Sequence, residues 1–161
     1  MPASSLKDIA SFELSIRYTF KKKSLAREAL THKSYSHENQ EKCHPFNERF
    51  EFLGDSVLGL VISEHLFNSF SDHSEAKLSK LRAYLVQEAT LAEAAERLDI
   101  GRYLLIGKGE EMSVGRNKPS LLANAFEAVV AAIYIDSGMK KAREFILSSL
   151  EPKIIELVDN S

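Results

Sequence analysis

A single cysteine, Cys43, in a chain of 161 residues rules out any intrachain disulfide. Packing must hold the fold, and a reducing cytoplasm is the natural setting. No apolar run approaches the length of a membrane span. The start, Met1-Pro2-Ala3-Ser4-Ser5, leads into Lys7 and Asp8 without a signal-peptide core. Charge of neither sign dominates: 21 Lys and Arg stand against 23 Asp and Glu, for a net −2. That argues against tight nucleic-acid binding by bulk positive charge alone. There is no phosphate-binding P-loop, no G-x-G-x-x-G and no nucleophilic-serine motif. Nor is there an internal repeat or a useful length of β alternation. His32, His37, His44, His65 and His73 are scattered, and Cys43-His44 lies in a loop without partners, so no Cys/His set has zinc spacing.

What is present reads as one helical domain. Apolar content of 44% and charged content of 27% are ordinary for a globular chain of this length. Leu6, Ile9, Ala10 and Phe12 predict a helix over about 5–15. Ser24 is a candidate N-cap for a short helix through Leu30. Residues 33–46 read as a loop, and Asn47 as the N-cap of a long helix to about Phe70. A further helix carrying Leu78, Leu81, Leu85 and Val86 breaks near Gln87, and the next closes at Gly101. Residues 107–118, with three glycines, read as a charged loop. Pro119 suits the first turn of a helix that is apolar on nearly every side and ends at Gly138. A last helix follows through Leu150, and Pro152 interrupts before a short tail. The fold class is all-α.

The most informative stretch runs from Asn47 to Leu58, NERFEFLGDSVL. Glu48, Glu51 and Asp55 recur three and four apart, which places them on one helix face. The interleaved Phe50, Phe52, Leu53, Val57 and Leu58 make that helix a largely buried one. Clustered carboxylates in a buried helix repel and lose hydration unless a cation holds them. Gly54 inside the helix costs about 1 kcal/mol relative to alanine, which points to a close approach of another element. In the central helix, Asn124 and Glu127 are the only polar residues between Leu121 and Tyr134, and they share a face. Two buried helices with inward carboxylates are how helical bundles build divalent-metal sites. Oxygen ligands select a hard cation, Mg²⁺ first and Mn²⁺ second, and such a centre suits phosphodiester hydrolysis. Local basic clusters, Lys21-Lys22-Lys23, Lys77 with Lys80 and Arg82, and Lys108 with Arg116 and Lys118, fit a phosphate-bearing substrate flanking that site.

The Asn47–Leu58 string closely resembles the ribonuclease III family signature N-E-R-L-E-F-L-G-D-S-V-L, with Phe50 in place of Leu. Leu122-Ala123-Asn124-Ala125-Phe126-Glu127-Ala128 resembles its second motif, L-A-D-x-[FV]-E-A. Leu30–Tyr35, Leu78–Arg82 and Gly107–Glu111 agree as well, so the likeness covers roughly residues 12 to 150. The resemblance implies a homodimeric endonuclease that cleaves double-stranded RNA in ribosomal or messenger RNA processing. Its products would carry 5′-phosphate and 3′-hydroxyl ends with short 3′ overhangs. It places Glu51, Asp55 and Glu127 on metal positions, Asn124 where the family has Asp, and Glu48 on a position that supports the site or contacts substrate. Phe52 matches a position that inserts into the partner subunit.

The resemblance further implies an endonuclease domain over 1–152, with 153–161 as the start of a linker to a double-stranded-RNA-binding domain that is absent here. Asn124 is the departure that matters, because an amide oxygen can coordinate Mg²⁺ but brings no charge. The alternatives are a catalytically weakened RNA-binding or structural module, and a helical hydrolase of small phosphorylated substrates, which would show His-rich ligation and a closed pocket.

Overall fold

The computed structural model describes residues 6–40, 45–113 and 115–160. Cys43 and His44 lie outside the described residues, as does the N-terminal pentapeptide. Eleven α-helices are described: α1 (Leu6–Ile16), α2 (Lys23–Ala29), α3 (Lys33–Glu38), α4 (Glu48–Ser69), α5 (Glu75–Val86), α6 (Glu88–Arg97), α7 (Ile100–Tyr103), α8 (Lys108–Met112), α9 (Pro119–Ser137), α10 (Met139–Ser149) and α11 (Glu151–Asp159). A 3-10 turn at Gly115–Asn117 precedes α9. Among the described residues the only β feature is an isolated parallel bridge between Thr31 and Leu105. The all-α expectation holds.

Helix α9 is the axis of the molecule. Leu122, Ala123, Ala125, Phe126 and every residue from Ala128 to Ile133 are buried, among α2, α4, α6 and α10. Its many alanines lose little side-chain entropy and let neighbouring helices come close. By length and composition α9 is apolar enough to cross a membrane. That corrects the expectation of no such run, but here its apolar surface forms the core.

The strongest pairing is α4 with α9. Gly54 is buried, and a Cβ added there would fall on the carbonyl group of Glu127, with the carbonyl carbon at 2.6 Å. The close approach expected from Gly54 is therefore real. One turn earlier Glu51 and Asn124 face the same recess, so the two helices run side by side in the same direction.

Several local expectations are corrected. Asn47 does sit at the N-cap of α4, but its side chain makes no cap. Instead its Nδ2 donates to the Ala29 carbonyl at 3.1 Å and its backbone N–H to Thr31 at 2.9 Å. The buried amide thus ties the start of α4 to the end of α2. Helix α2 starts at Lys23, not after Ser24, and has no side-chain cap. The expected loop over 33–46 contains α3, capped by His32, and the loop over 107–118 contains α8 and the 3-10 turn. Both helices are too short and polar for periodicity to reveal.

Gly101 does not close α6, which ends at Arg97. It lies buried within α7, where a Cβ would stand 3.0 Å from the Arg116 carbonyl. Pro152 falls in the first turn of α11, where its missing N–H is harmless, so it starts a helix instead of interrupting one. Gly138 ends α9 as expected, at φ 89°.

Candidate functional site

The acidic residues expected to form the site come together as a strip along the α4–α9 seam. At its mouth is a recess of about 280 Å³, lined by Glu48 and Glu51 from α4, Asn124 from α9, His32, Lys33 and Glu110. One turn further along, Asp55 and Glu127 face each other across the seam, with their carboxyls within hydrogen-bonding reach.

Electrostatics show how closely the acids are coupled. Glu127 is half-buried, and its pKa is pushed up to about 8. Desolvation contributes most, then the hydrogen bond with Asp55 and the charges of Asp55 and Glu51. Glu51 is also raised, first by burial and then by Glu48 and Asp55, with Lys33 opposing. Both shifts arise from loss of water plus like charge, a combination that a bound cation would reverse. Without one, protonated Glu127 can donate to the Asp55 carboxyl, which relieves the like-charge repulsion that raises it.

The strip is looser than the compact cluster that the sequence suggests. Among the described residues, no three Asp, Glu, His or Cys side chains close into a ready-made metal-holding group. The donors are nevertheless all oxygen atoms and carry excess negative charge. That chemistry fits a hard divalent ion drawing Glu51, Asp55, Asn124 and Glu127 inward.

Glu48 is half-exposed at the mouth, 3.4 Å from the Lys33 ammonium. Phe52 corrects the picture of α4 as a largely buried helix, because it is 80% exposed. With Leu60 and Phe67, also exposed, it forms an apolar stripe along the outer face of α4.

The basic clusters do not flank the site as a set. Arg116 is a structural strut: its Nη1 donates to the carbonyls of Gly101 at 2.9 Å and Leu104 at 2.8 Å, and its Nε and Nη2 grip Glu111. Lys118 pairs with Glu110 at 2.8 Å. Lys21 and Lys22 donate their backbone N–H groups to Asp136, at the far end of α9. That end is about 18 Å along the axis from Asn124.

Two residues of the recess, His32 and Glu110, carry no role that the sequence alone assigns. They lie in the stretches Leu30–Tyr35 and Gly107–Glu111, whose role was not legible without knowing that the Thr31–Leu105 bridge joins them.

Comparison with known proteins identifies the family. A family model described as Ribonuclease-III-like matches residues 22–154. The Ribonuclease 3 of a Nitratiruptor species is 51% identical over 152 residues, covering 92% of this chain and 65% of that protein. The Ribonuclease 3 of Caldanaerobacter subterraneus subsp. tengcongensis is 48% identical over 146 residues, covering 91% and 64%. The chain thus spans about two thirds of the length of these curated relatives. A crystal structure of the nuclease domain of ribonuclease III from Campylobacter jejuni superposes with a TM-score of 0.83 at 42% identity, covering 92% of this chain and 97% of that one. A second structure of that domain, described for flexibility in a region involved in dimer formation, gives 0.83 at 43% identity, covering 89% and 96%. Sequence, fold and the seam between α4 and α9 lead to one conclusion: the chain belongs to the ribonuclease III family and corresponds to its nuclease domain.

Proposed function

We propose that this chain is a metal-dependent endoribonuclease domain that hydrolyses phosphodiesters of double-stranded RNA. The observation that carries this reading is the Asp55–Glu127 pair, held against Glu51 where burial and like charge make the acids unfavourable without a cation. Glu51, Asp55, Asn124 and Glu127 would hold the ion, Mg²⁺ with Mn²⁺ as substitute. When bound, such an ion activates water and steadies the leaving oxygen. The chain's own residues position: Gly54 sets the gap between the helices, and Glu48 with Lys33 shapes the mouth. Cleavage leaves 5′-phosphate and 3′-hydroxyl ends. Double-stranded RNA suits the shallow site, since A-form duplexes are read by shape, 2′-hydroxyls and phosphates.

The active form we infer is a homodimer closed through the α4 stripe of Phe52, Leu60 and Phe67. An apolar row so exposed on a soluble domain is the mark of an interface. Two sites per dimer, each cutting one strand, give short 3′ overhangs, and processing of ribosomal or messenger RNA precursors is the matching role. A cytoplasmic location belongs to the same proposal; the boundary expected at residue 152 would cut through α11, whose Ile154 and Leu157 pack against the core, so the domain takes in that helix.

The test is cleavage of long double-stranded RNA by the purified chain at low salt, over a range of Mg²⁺ and Mn²⁺. Cutting that is abolished by Glu127→Gln with dimerisation intact supports the reading. No cutting at any metal concentration removes it.

A further inference from the structure

We propose that His32 is a substrate-binding residue of the recess, its Nε2–H donating to a non-bridging phosphate oxygen of an RNA strand. This rests on the reading of the site as a double-stranded-RNA nuclease centre and names one contact it makes.

The geometry fixes which ring nitrogen carries the hydrogen. The backbone N–H of Ser34 donates to His32 Nδ1 at 3.2 Å, and an amide N–H can only donate. The Ser34 hydroxyl oxygen lies 2.7 Å from the same nitrogen. That oxygen already accepts from the Gly107 N–H at 2.9 Å, which leaves its own hydrogen for Nδ1. Nδ1 therefore bears no hydrogen, and the neutral ring carries it on Nε2. A protonated ring nitrogen cannot ligate a metal, so toward the recess His32 is a donor and not a ligand.

The ring is also held still. His32 donates its backbone N–H to Leu105 at 2.9 Å, through the bridge that joins the end of α2 to the segment before α8. Glycine is required at position 107, where a Cβ would stand 2.7 Å from both the Glu38 carboxylate and the Ser34 carbonyl. That closeness seats the Gly107 N–H on Ser34. A half-buried imidazole with its backbone and one nitrogen tethered is a pre-organised donor, which lowers the entropic cost of a contact.

The recess indicates what the donor meets. Glu48, Glu51 and Glu110 face it, with Lys33 and Lys118 near the ring. Among the described residues none accepts from Nε2, although acids lie close by. Burial lowers the ring's pKa, which keeps it neutral despite those acids. A fixed N–H beside a lysine, across the mouth from carboxylates suited to a cation, matches a phosphodiester bridging the two walls. A phosphate oxygen is an anionic acceptor that such a donor binds strongly.

The ring's two nitrogens can be tested separately. His32→Asn keeps an acceptor at the Nδ1 position, and Asn is a favoured N-cap, so α3 retains its cap while the recess donor is lost. His32→Gln keeps an amide N–H at the reach of Nε2. Two measurements are made on the full chain: steady-state cleavage of a long RNA duplex, and anisotropy binding of a fluorescent RNA duplex in the Glu127→Gln background. His32→Asn is expected to raise KM and Kd by about tenfold or more, with kcat and melting temperature little changed. His32→Gln is expected to stay within about threefold of the unsubstituted chain.

An Asn variant that binds and cleaves like the parent overturns the inference. A Gln variant no better than the Asn variant does the same. If the parent binds duplex RNA but does not cleave it, the nuclease reading fails. The anisotropy series then still decides the contact. If no duplex binding is detected at low salt, the contact is overturned as well.

Discussion

Gly54 and Glu127 mark a close approach of α4 and α9, the first giving up its side chain so that the backbone of the second can lie against it. The acids of the two helices face one another because nothing bulkier than hydrogen separates their carriers at that point. Gly54→Ala would force the helices apart. We expect it to lower stability by about 1–3 kcal/mol by overpacking. Cleavage is expected to fall further than lost stability explains, because Glu127 moves away from Asp55. Urea unfolding alongside cleavage rates would check this; a variant melting at the parent temperature would show that the seam has slack.

The Asp55–Glu127 pair gives the metal-free protein a distinct pH response. Glu127 has its folded pKa raised to about 8, above the ordinary carboxyl value of 4.5. The folded state therefore binds that proton more tightly than the unfolded chain. The stabilisation is fully present below about pH 4.5 and is lost as pH rises through 8. In EDTA, stability should fall between these limits, and Glu127→Gln should flatten that slope. Added Mg²⁺ should do so too. Thermal melts across pH 5 to 9 with and without EDTA measure it, and a parent slope unchanged in Glu127→Gln would assign the effect elsewhere.

How far the sequence carried this picture depends on the length of each pattern. Helices α4 and α9 were legible because a mainly apolar run of twenty or so residues, opened by Asn47 or Pro119, leaves few alternatives. Gly54 was legible because a glycine in such a run needs a reason. The recess was only half legible. Glu51 and Asn124 stood out by their apolar surroundings, whereas His32 and Glu110 come from stretches with no periodicity. Only the Thr31–Leu105 bridge, a contact between residues far apart in sequence, brings those two stretches to the site. Charge clusters misled for a related reason. Arg116 looks like a substrate-facing cation in sequence, yet the carbonyls at the end of α7 claim it. Phe52, apolar in an apolar helix, gives no local sign that it faces outward.

That outward face gives a direct test of assembly. Phe52→Ser removes the most exposed ring of the α4 stripe without touching the core. If the stripe is the dimer seam, the dimer dissociation constant should rise about thirtyfold or more, as for a central aromatic anchor. Sedimentation equilibrium over a concentration series would show it, with melting of the dissociated chain close to that of the parent monomer. An unchanged constant would place the interface on another face.

Arg116 supplies the reverse case, a cation whose loss should damage the fold before the chemistry. Its guanidinium joins α7 to α8 by meeting three carbonyls, of Gly101, Arg102 and Leu104, and one carboxylate at once. Arg116→Ala leaves the partly buried Leu104 carbonyl unmet and the Gly101 carbonyl with only the Leu104 N–H, at roughly 1–3 kcal/mol in total. Arg116→Lys should recover little, since one ammonium cannot span the same fork of acceptors. Denaturant midpoints for both variants decide the point; full recovery by lysine would show that charge alone matters there.

Asn124 carries the remaining question of activity, because it supplies an oxygen to the recess but no charge. Asn124→Asp adds a fourth carboxylate to Glu51, Asp55 and Glu127, and the consequence should have two signs. In EDTA the extra like charge in a half-desolvated strip should lower the melting temperature and push Glu51 and Glu127 still further up. With Mg²⁺ the same charge should strengthen the site, so that half-maximal cleavage needs on the order of tenfold less metal. The rise in melting temperature on adding Mg²⁺ should therefore be larger in Asn124→Asp than in the parent, a comparison independent of turnover. A variant that loses stability in EDTA yet gains no more from Mg²⁺ than the parent would mean that position 124 faces the acids without touching the ion. The family resemblance at that residue would then reflect packing and not ligation.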